Sequence, residues 1–245
     1  MVRPVLQVAL DLTELSRAEK IAEEAVAGGA DWVEIGTPLV KSEGMESVRR
    51  LRALFPTTIL VADLKTSDTG AIEVEMAAKA GADVVCVLAS ADNAVIADAL
   101  RGASLYGVDI MADMMNVVDP AVRAEELAGL GVQIVNAHVG IDQQMEGKDP
   151  LALLDALGKL PVRIAVAGGL NAETAAAAAA RGADIVIVGG SIIKAADVTS
   201  AAAAVRAALD SPKAVPSEKR STDDQIRELL EMVSAPNVTD ALYRK

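Results

Sequence analysis

The chain has few aromatic side chains: of its 245 residues one is Trp, two are Tyr and one is Phe. A core must therefore be filled by Ala, Val, Ile and Leu, which suits closely spaced helices packed on strands. One cysteine, Cys86, rules out an intrachain disulfide and fits a reducing compartment. Cys86 lies in Val84-Val-Cys-Val-Leu88, a continuous apolar run, and reads as inert core. No apolar run reaches the roughly 18 residues of a membrane span. Met1-Val-Arg-Pro-Val leads into a strand-like run without the layout of a signal peptide. A cytoplasmic protein with no membrane partner is the expectation. Positive charge is also short, with a formal net charge of −12. Such a surface disfavours nucleic acid and anionic lipid, and an anionic substrate would need a local site not built from many cations.

What the chain does have is a repeat. Gly28-Gly-Ala-Asp-Trp-Val-Glu-Ile-Gly36, Ala80-Gly-Ala-Asp-Val-Val-Cys-Val-Leu88, Leu130-Gly-Val-Gln-Ile-Val-Asn-Ala-His138 and Arg181-Gly-Ala-Asp-Ile-Val-Ile-Val-Gly189 share a glycine at 29, 81, 131 and 182. Each glycine can stop a helix at positive φ, and the β-rich run after it starts a strand. Between them lie four more strand-like runs, Val5–Leu12, Thr58–Lys65, Asp109–Met115 and Val162–Gly169, introduced by turn signals such as Leu160-Pro161. Each period thus holds two strands and two helices. Four periods predict a (β/α)8 TIM barrel over residues 1–210. An open doubly wound sheet would carry a glycine-rich turn after the first strand; Asp11-Leu-Thr-Glu-Leu-Ser16 has no glycine. Residues 211–245 change character. A polar, proline-containing linker precedes helical apolar spacing at Ile226, Leu229, Leu230 and Val233.

Barrel active sites lie at the C-terminal ends of the strands. Those ends carry Asp11, Glu34, Asp63 with Lys65, Asp113 and His138, whereas the seventh and eighth carry Gly168-Gly169 and Gly189-Gly190. Asp63 and Lys65, two apart, are expected to share one strand face; Asp68 follows in the loop. Asp11, Glu34, Asp63, Asp68 and Lys65 are therefore expected to converge on one half of the rim. Such a set is costly to bury unpaired, and all-oxygen ligands favour Mg2+ over zinc. The plainer alternative is a structural Asp63–Lys65 salt bridge. His138 and Asp113 are candidates for proton transfer or hydrogen bonding to substrate. The two Gly-Gly turns, with Ser191, would bring backbone amides to a phosphate, which suits a chain short of cations.

Leu6-Gln-Val-Ala-Leu-Asp11, Val33-Glu-Ile-Gly-Thr-Pro-Leu39, Ala62-Asp-Leu-Lys-Thr-Ser-Asp68, Ala137-His-Val-Gly-Ile-Asp142 and Ala167-Gly-Gly169 resemble the orotidine-monophosphate-decarboxylase suprafamily. Within it they are most similar to the 3-hexulose-6-phosphate synthase group. The resemblance covers about residues 4–209. It implies a ribulose-phosphate-binding barrel that joins formaldehyde to ribulose 5-phosphate through an enediolate, works with Mg2+, and forms a homodimer with shared active sites. Glu34 and Asp63 would then be metal ligands. Lys65 would meet the developing oxyanion, Asp11 the substrate hydroxyls, and Asp68 the partner's site. His138 and Asp113 would move or position protons, and Gly168, Gly169, Gly189, Gly190 and Ser191 would hold the phosphate. The related 3-keto-L-gulonate-6-phosphate decarboxylases are expected to carry arginines after the histidine and in the phosphate loop. Val139-Gly-Ile-Asp-Gln-Gln144 and Gly190-Ser-Ile192 have none, so the decarboxylase stands as an alternative, as does a non-catalytic phosphosugar-binding scaffold. The segment Ile226–Leu242 resembles the first helix of demethylmenaquinone-methyltransferase-like proteins, also called ribonuclease-activity regulators, and would be the start of a second domain or its remnant.

Overall fold

The computed structural model describes residues 3–211. The expected C-terminal helix and its resemblance to a second domain lie outside the described residues. Eight parallel strands close into a barrel in sequence order. They are β1 (Val5–Leu10), β2 (Trp32–Ile35), β3 (Ile59–Thr66), β4 (Val84–Leu88), β5 (Asp109–Asp113), β6 (Ile134–His138), β7 (Arg163–Ala167) and β8 (Ile185–Val188). Closure comes from β1 pairing with β8, from Val5 opposite Ile185 to Val8 opposite Val188. The helices are α1 (Leu15–Ala27), α2 (Thr37–Glu43), α3 (Glu46–Leu54), α4 (Gly70–Ala80), α5 (Asn93–Tyr106), α6 (Pro120–Leu130), α7 (Ile141–Met145), α8 (Pro150–Leu157), α9 (Ala172–Ala180), α10 (Gly190–Ile193) and α11 (Val198–Asp210). The expected barrel is present, with split helices after β2, β6 and β8.

Small side chains set the packing. A Cβ at Gly102 of α5 would meet Ala71 Cα at 3.0 Å, a closeness that larger residues forbid. Alternate strand residues point inward and outward. Leu6, Val8 and Leu10 pack outward under the helices and are fully buried. The interior is filled by Ala9, Trp32, Val61, Val84, Cys86, Met111, Ile134, Ala165, Ile185 and Ile187. Cys86 is buried there, and burial, reinforced by the nearby Asp63 and Glu34 charges, pushes its thiol up, in keeping with inert core.

The repeat has a mechanical meaning at the bottom of the barrel. In each phrase the residue two positions after the glycine accepts a backbone N–H from the strand before it. Asp31 Oδ2 takes Leu6 N at 2.8 Å and Asp83 Oδ2 takes Leu60 N at 2.7 Å. Gln133 Oε1 takes Ile110 N and Asp184 Oδ2 takes Ile164 N, both at 2.8 Å. These N–H groups have no ladder partner at the strand starts, so the side chain satisfies them. At the top, strands β1, β5 and β7 end earlier than the sequence suggests. The chain turns sharply there: Met115 N bonds back to Asp113 Oδ1 at 2.9 Å, and Gly168 leaves β7 at φ +124°.

Candidate active site

Three strand ends, those of β3, β5 and β6, bring their charged residues together. Lys65 Nζ lies 2.9 Å from Asp63 Oδ2 and 2.8 Å from Asp113 Oδ2. His138 Nδ1 lies 2.7 Å from the same Asp113 oxygen. Thr37, at the start of α2, places its hydroxyl 2.6 Å from Asp63 Oδ2. Asp63 and Lys65 do meet, but not through the regular alternation expected. Between the Ala62–Val85 and Thr66–Val87 pairings, β3 spends four residues where β4 spends two. Lys65 sits in this bulge at φ +50°, a left-handed conformation that lysine rarely adopts and that surrounding structure must hold.

The charges at the mouth are unequal in number. Asp11, Glu34, Asp63 and Asp113 face one ammonium in their midst, that of Lys65, with Lys194 acting only on Asp11 from the far side. Burial alone would draw the Lys65 ammonium down, but Asp63 and Asp113 more than offset it and hold it above its ordinary value. Burial would raise Asp113, yet the bonds from His138 and Lys65 hold its carboxyl well below the usual range. An ionised carboxylate can only accept, so His138 Nδ1 carries the proton and its Nε2 is the nitrogen left for other partners. Glu34 is buried and its carboxyl is pushed well up, first by burial and then by Asp63 and Asp11. Gln7 Nε2 donates to Glu34 Oε2 at 2.5 Å. Asp11 keeps an exposed edge; the loss of surrounding water, and then the Asp63 charge, raise its carboxyl too. Asp11 lies between the second and eighth strand ends: a Cβ at Gly36 would collide with its Oδ1, and one at Gly189 would stand 3.4 Å from its Oδ2. Only glycine fits at 36.

Asp68 is not part of this set within the chain, contrary to the expected convergence. It is exposed, and its Oδ1 accepts from Thr69 N at 2.8 Å. The chain has left the bulge by then, and Thr69 turns it into α4 at φ +51°. Asp113, expected at the rim from the end of β5, is the carboxylate that joins Asp63 around Lys65.

Glu34 and Asp11, raised first by burial and then by neighbouring charges, form with Asp63 a donor set short of positive charge. Such a set fits a divalent cation with oxygen ligands. Among the described residues no three His, Cys, Asp or Glu side chains are gathered tightly enough to hold an ion by themselves. Mg2+ does not require three, since it commonly takes one or two protein carboxylates and completes its shell with water and substrate oxygens.

The opposite half of the mouth is built mainly from glycine turns. Gly168 and Gly169 follow β7 at φ +124° and +61°, and Gly189 and Gly190 follow β8. Nothing stands within 4 Å of a Cβ placed at Gly190, so the space above it is open. Ser191 Oγ donates to Leu170 O at 2.7 Å and ties the two glycine turns together. Gln144 Nε2 donates to Val139 O at 2.8 Å, which sets the carboxamide against Gly168 and Gly169. Lys194, just past α10, is near enough to Asp11 to draw its carboxyl down. Sequence reasoning passed over Gln7, Thr37, Gln144 and Lys194. Gln7 was the one with a visible signal, a polar residue at an inward position of an apolar strand.

Residues 4–205 match the family model described as orotidine 5'-phosphate decarboxylase / HUMPS family. The chain belongs to that family. It is 40% identical over 205 residues to a 3-hexulose-6-phosphate synthase of Mycobacterium gastri, an alignment covering 83% of this chain and 99% of that protein. A crystal structure of a 3-hexulose-6-phosphate synthase superposes with a TM-score of 0.80 at 40% identity, over 83% of this chain and 99% of that one. A 3-keto-L-gulonate-6-phosphate decarboxylase from Vibrio cholerae superposes with a TM-score of 0.76 at 31% identity, over 86% and 100%.

Proposed function

We propose that the protein is an aldehyde-lyase that joins formaldehyde to D-ribulose 5-phosphate to give 3-hexulose 6-phosphate, and catalyses the reverse. The observation that carries this reading is the Asp63–Lys65–Asp113–His138 chain, set in a barrel alike over nearly the whole length of relatives bearing that enzyme's name. In the forward direction a proton leaves the terminal carbon beside the ketone of ribulose 5-phosphate, and the electron pair moves onto the ketone oxygen. The resulting enediolate carbon attacks formaldehyde, the new carbon–carbon bond forms, and the aldehyde oxygen takes up a proton.

Each residue has a part in this reading. Lys65, held above its ordinary value, stays an ammonium at working pH, so it serves as positive charge for the developing oxyanion and not as a base. Asp113 holds the His138 ring, and Nε2 is the atom that moves the proton. Asp11 binds substrate hydroxyls. Glu34 and Asp63 would hold Mg2+, with Thr37 and Lys65 fixing Asp63. Mg2+, when bound, supplies Lewis-acid stabilisation of negative charge on the substrate oxygens. The backbone amides of Gly168, Gly169, Gly189 and Gly190 would take the phosphate; Ser191 joins the two turns as well as offering its hydroxyl oxygen. Asp68, exposed and outside the cluster, would reach into the site of a partner subunit in a homodimer. The cytoplasm is the proposed setting.

The deciding assay mixes purified protein with Mg2+, ribulose 5-phosphate and formaldehyde and follows formaldehyde. Loss of formaldehyde with appearance of a hexulose phosphate is expected; no loss with any pentulose phosphate would sink the reading. A decarboxylase is the second reading, favoured by the likeness to the Vibrio cholerae structure. It requires CO2 release from 3-keto-L-gulonate 6-phosphate. A non-catalytic scaffold would bind ribulose 5-phosphate without turnover, and Lys65→Ala would barely change that binding.

A further inference from the structure

Gln7 lies in the barrel interior, one layer below Glu34. In the β1–β2 register Ala9 stands opposite Glu34 and Gln7 opposite Trp32. On its other side Gln7 faces Ile187 of β8. Its side chain is wholly buried, and its own layer is otherwise apolar. A carboxamide is costly in such a place unless both ends are bonded. Only one end is. Nε2 donates to Glu34 Oε2 at 2.5 Å, while Oε1 is buried without a hydrogen-bond partner among the described residues. An apolar side chain of similar size would fill the space and leave no orphaned oxygen. Packing therefore does not explain Gln7; the donor it offers Glu34 does.

That bond has a direction. The terminal torsion of a glutamate is broad, so a buried carboxylate can swivel unless something holds it. Gln7 comes from the layer beneath and takes Oε2, which leaves Oε1 on the side of the mouth. We propose that Gln7 is a positioning residue, whose grip on Glu34 Oε2 presents Glu34 Oε1 to a divalent cation shared with Asp63 and the substrate oxygens. The proposal rests on the reading of Glu34 and Asp63 as cation ligands. Groups that orient a metal ligand typically contribute about 10–100-fold to metal affinity.

The experiment compares the unsubstituted protein with Gln7→Met, using Mn2+ in the presence of ribulose 5-phosphate and free Mn2+ counted by electron paramagnetic resonance. The Mn2+ dissociation constant should rise about 10–100-fold in Gln7→Met. The Mg2+ concentration for half-maximal activity should rise in step, kcat should be largely regained at saturating Mg2+, and KM for ribulose 5-phosphate there should not move. The metal-free thermal midpoint should move little, because losing the orphaned Gln7 oxygen offsets losing the donor to the buried Glu34 Oε2. Gln7→Leu carries the same expectations should methionine pack badly. Mn2+ bound equally by both proteins overturns the role of Gln7 alone. So does a metal-free midpoint that falls in both variants with affinity unchanged, which is the behaviour of a packing residue. If the unsubstituted protein takes up no Mn2+, the cation reading itself fails and the role of Gln7 falls with it.

Discussion

At the bottom of the barrel two guanidiniums meet two carboxylates: Arg3 pairs with Asp31 and Asp210 at 3.0 and 2.9 Å, and Arg206 pairs with the same two at 2.8 Å each. At the top, four carboxylates share Lys65. The lower network is balanced, and Asp31 doubles as the stitch that holds the start of β1. The upper one is short of positive charge, strained at Lys65, and leaves Glu34 and Asp11 with raised carboxyls. Folding alone gives no reason to gather unmatched carboxylates. Perturbed titration gathered in a barrel mouth is what a reacting site needs, while a matched network of similar size at the other end locks strands and helices together.

The sharpest way to break this contrast is Lys65→Met. Formaldehyde consumption should fall about 10²–10³-fold, the loss typical for one preorganised charge on an oxyanion; a smaller loss would make Lys65 a structural ion pair. Arg206→Met tests the other end. Its buried side chain leaves Asp31 and Asp210 with one partner fewer, and urea unfolding should show a loss of about 2–3 kcal/mol, below the ~3–5 of a fully buried pair because Asp210 is partly solvated. Its kcat should not change. Glu34→Gln should do the reverse, abolishing activity while stabilising the metal-free protein by about 1 kcal/mol, since a crowded carboxylate is removed. A lower metal-free midpoint would mean that Glu34 is stabilising.

Asp113 gives a finer test through pH. Its folded-state value is depressed, so its contribution is present above the unfolded carboxylate value of about 4 and is lost as pH falls through the folded value below that. Thermal midpoints from pH 7 downward should fall less steeply below about pH 4 for Asp113→Asn than for the unsubstituted protein, and parallel curves would contradict this. The smallest effect is expected at a single bottom stitch. Asp184→Ala frees Ile164 N and should cost about 1 kcal/mol, with activity intact.

Much of this was legible in the chain. The four Gly-x-Asp or Gly-x-Gln phrases marked every second strand because the stitch needs an acceptor at one fixed place in each. Strand ends named Asp11, Glu34, Asp63, Lys65, Asp113 and His138 because parallel strands all finish at the same rim. Asp68 lies outside the cluster within its own chain because a bulge at Lys65 and a left-handed turn at Thr69 carry it away, which spacing along a chain cannot foresee. Thr37 and Gln7 were missed because their partners, Asp63 and Glu34, are 26 and 27 residues away, on neighbouring strands.

The sequence by itself determined the barrel, its closure after eight units and the charge imbalance of its mouth, since all three follow from local periodicity and residue type. Tertiary structure alone decided which charges touch. It put Asp113 between Lys65 and His138, pressed Asp11 between Gly36 and Gly189, and set Gln7 beneath Glu34. Such contacts depend on strand register and backbone bend to within an ångström, and neither is written in the spacing of residues.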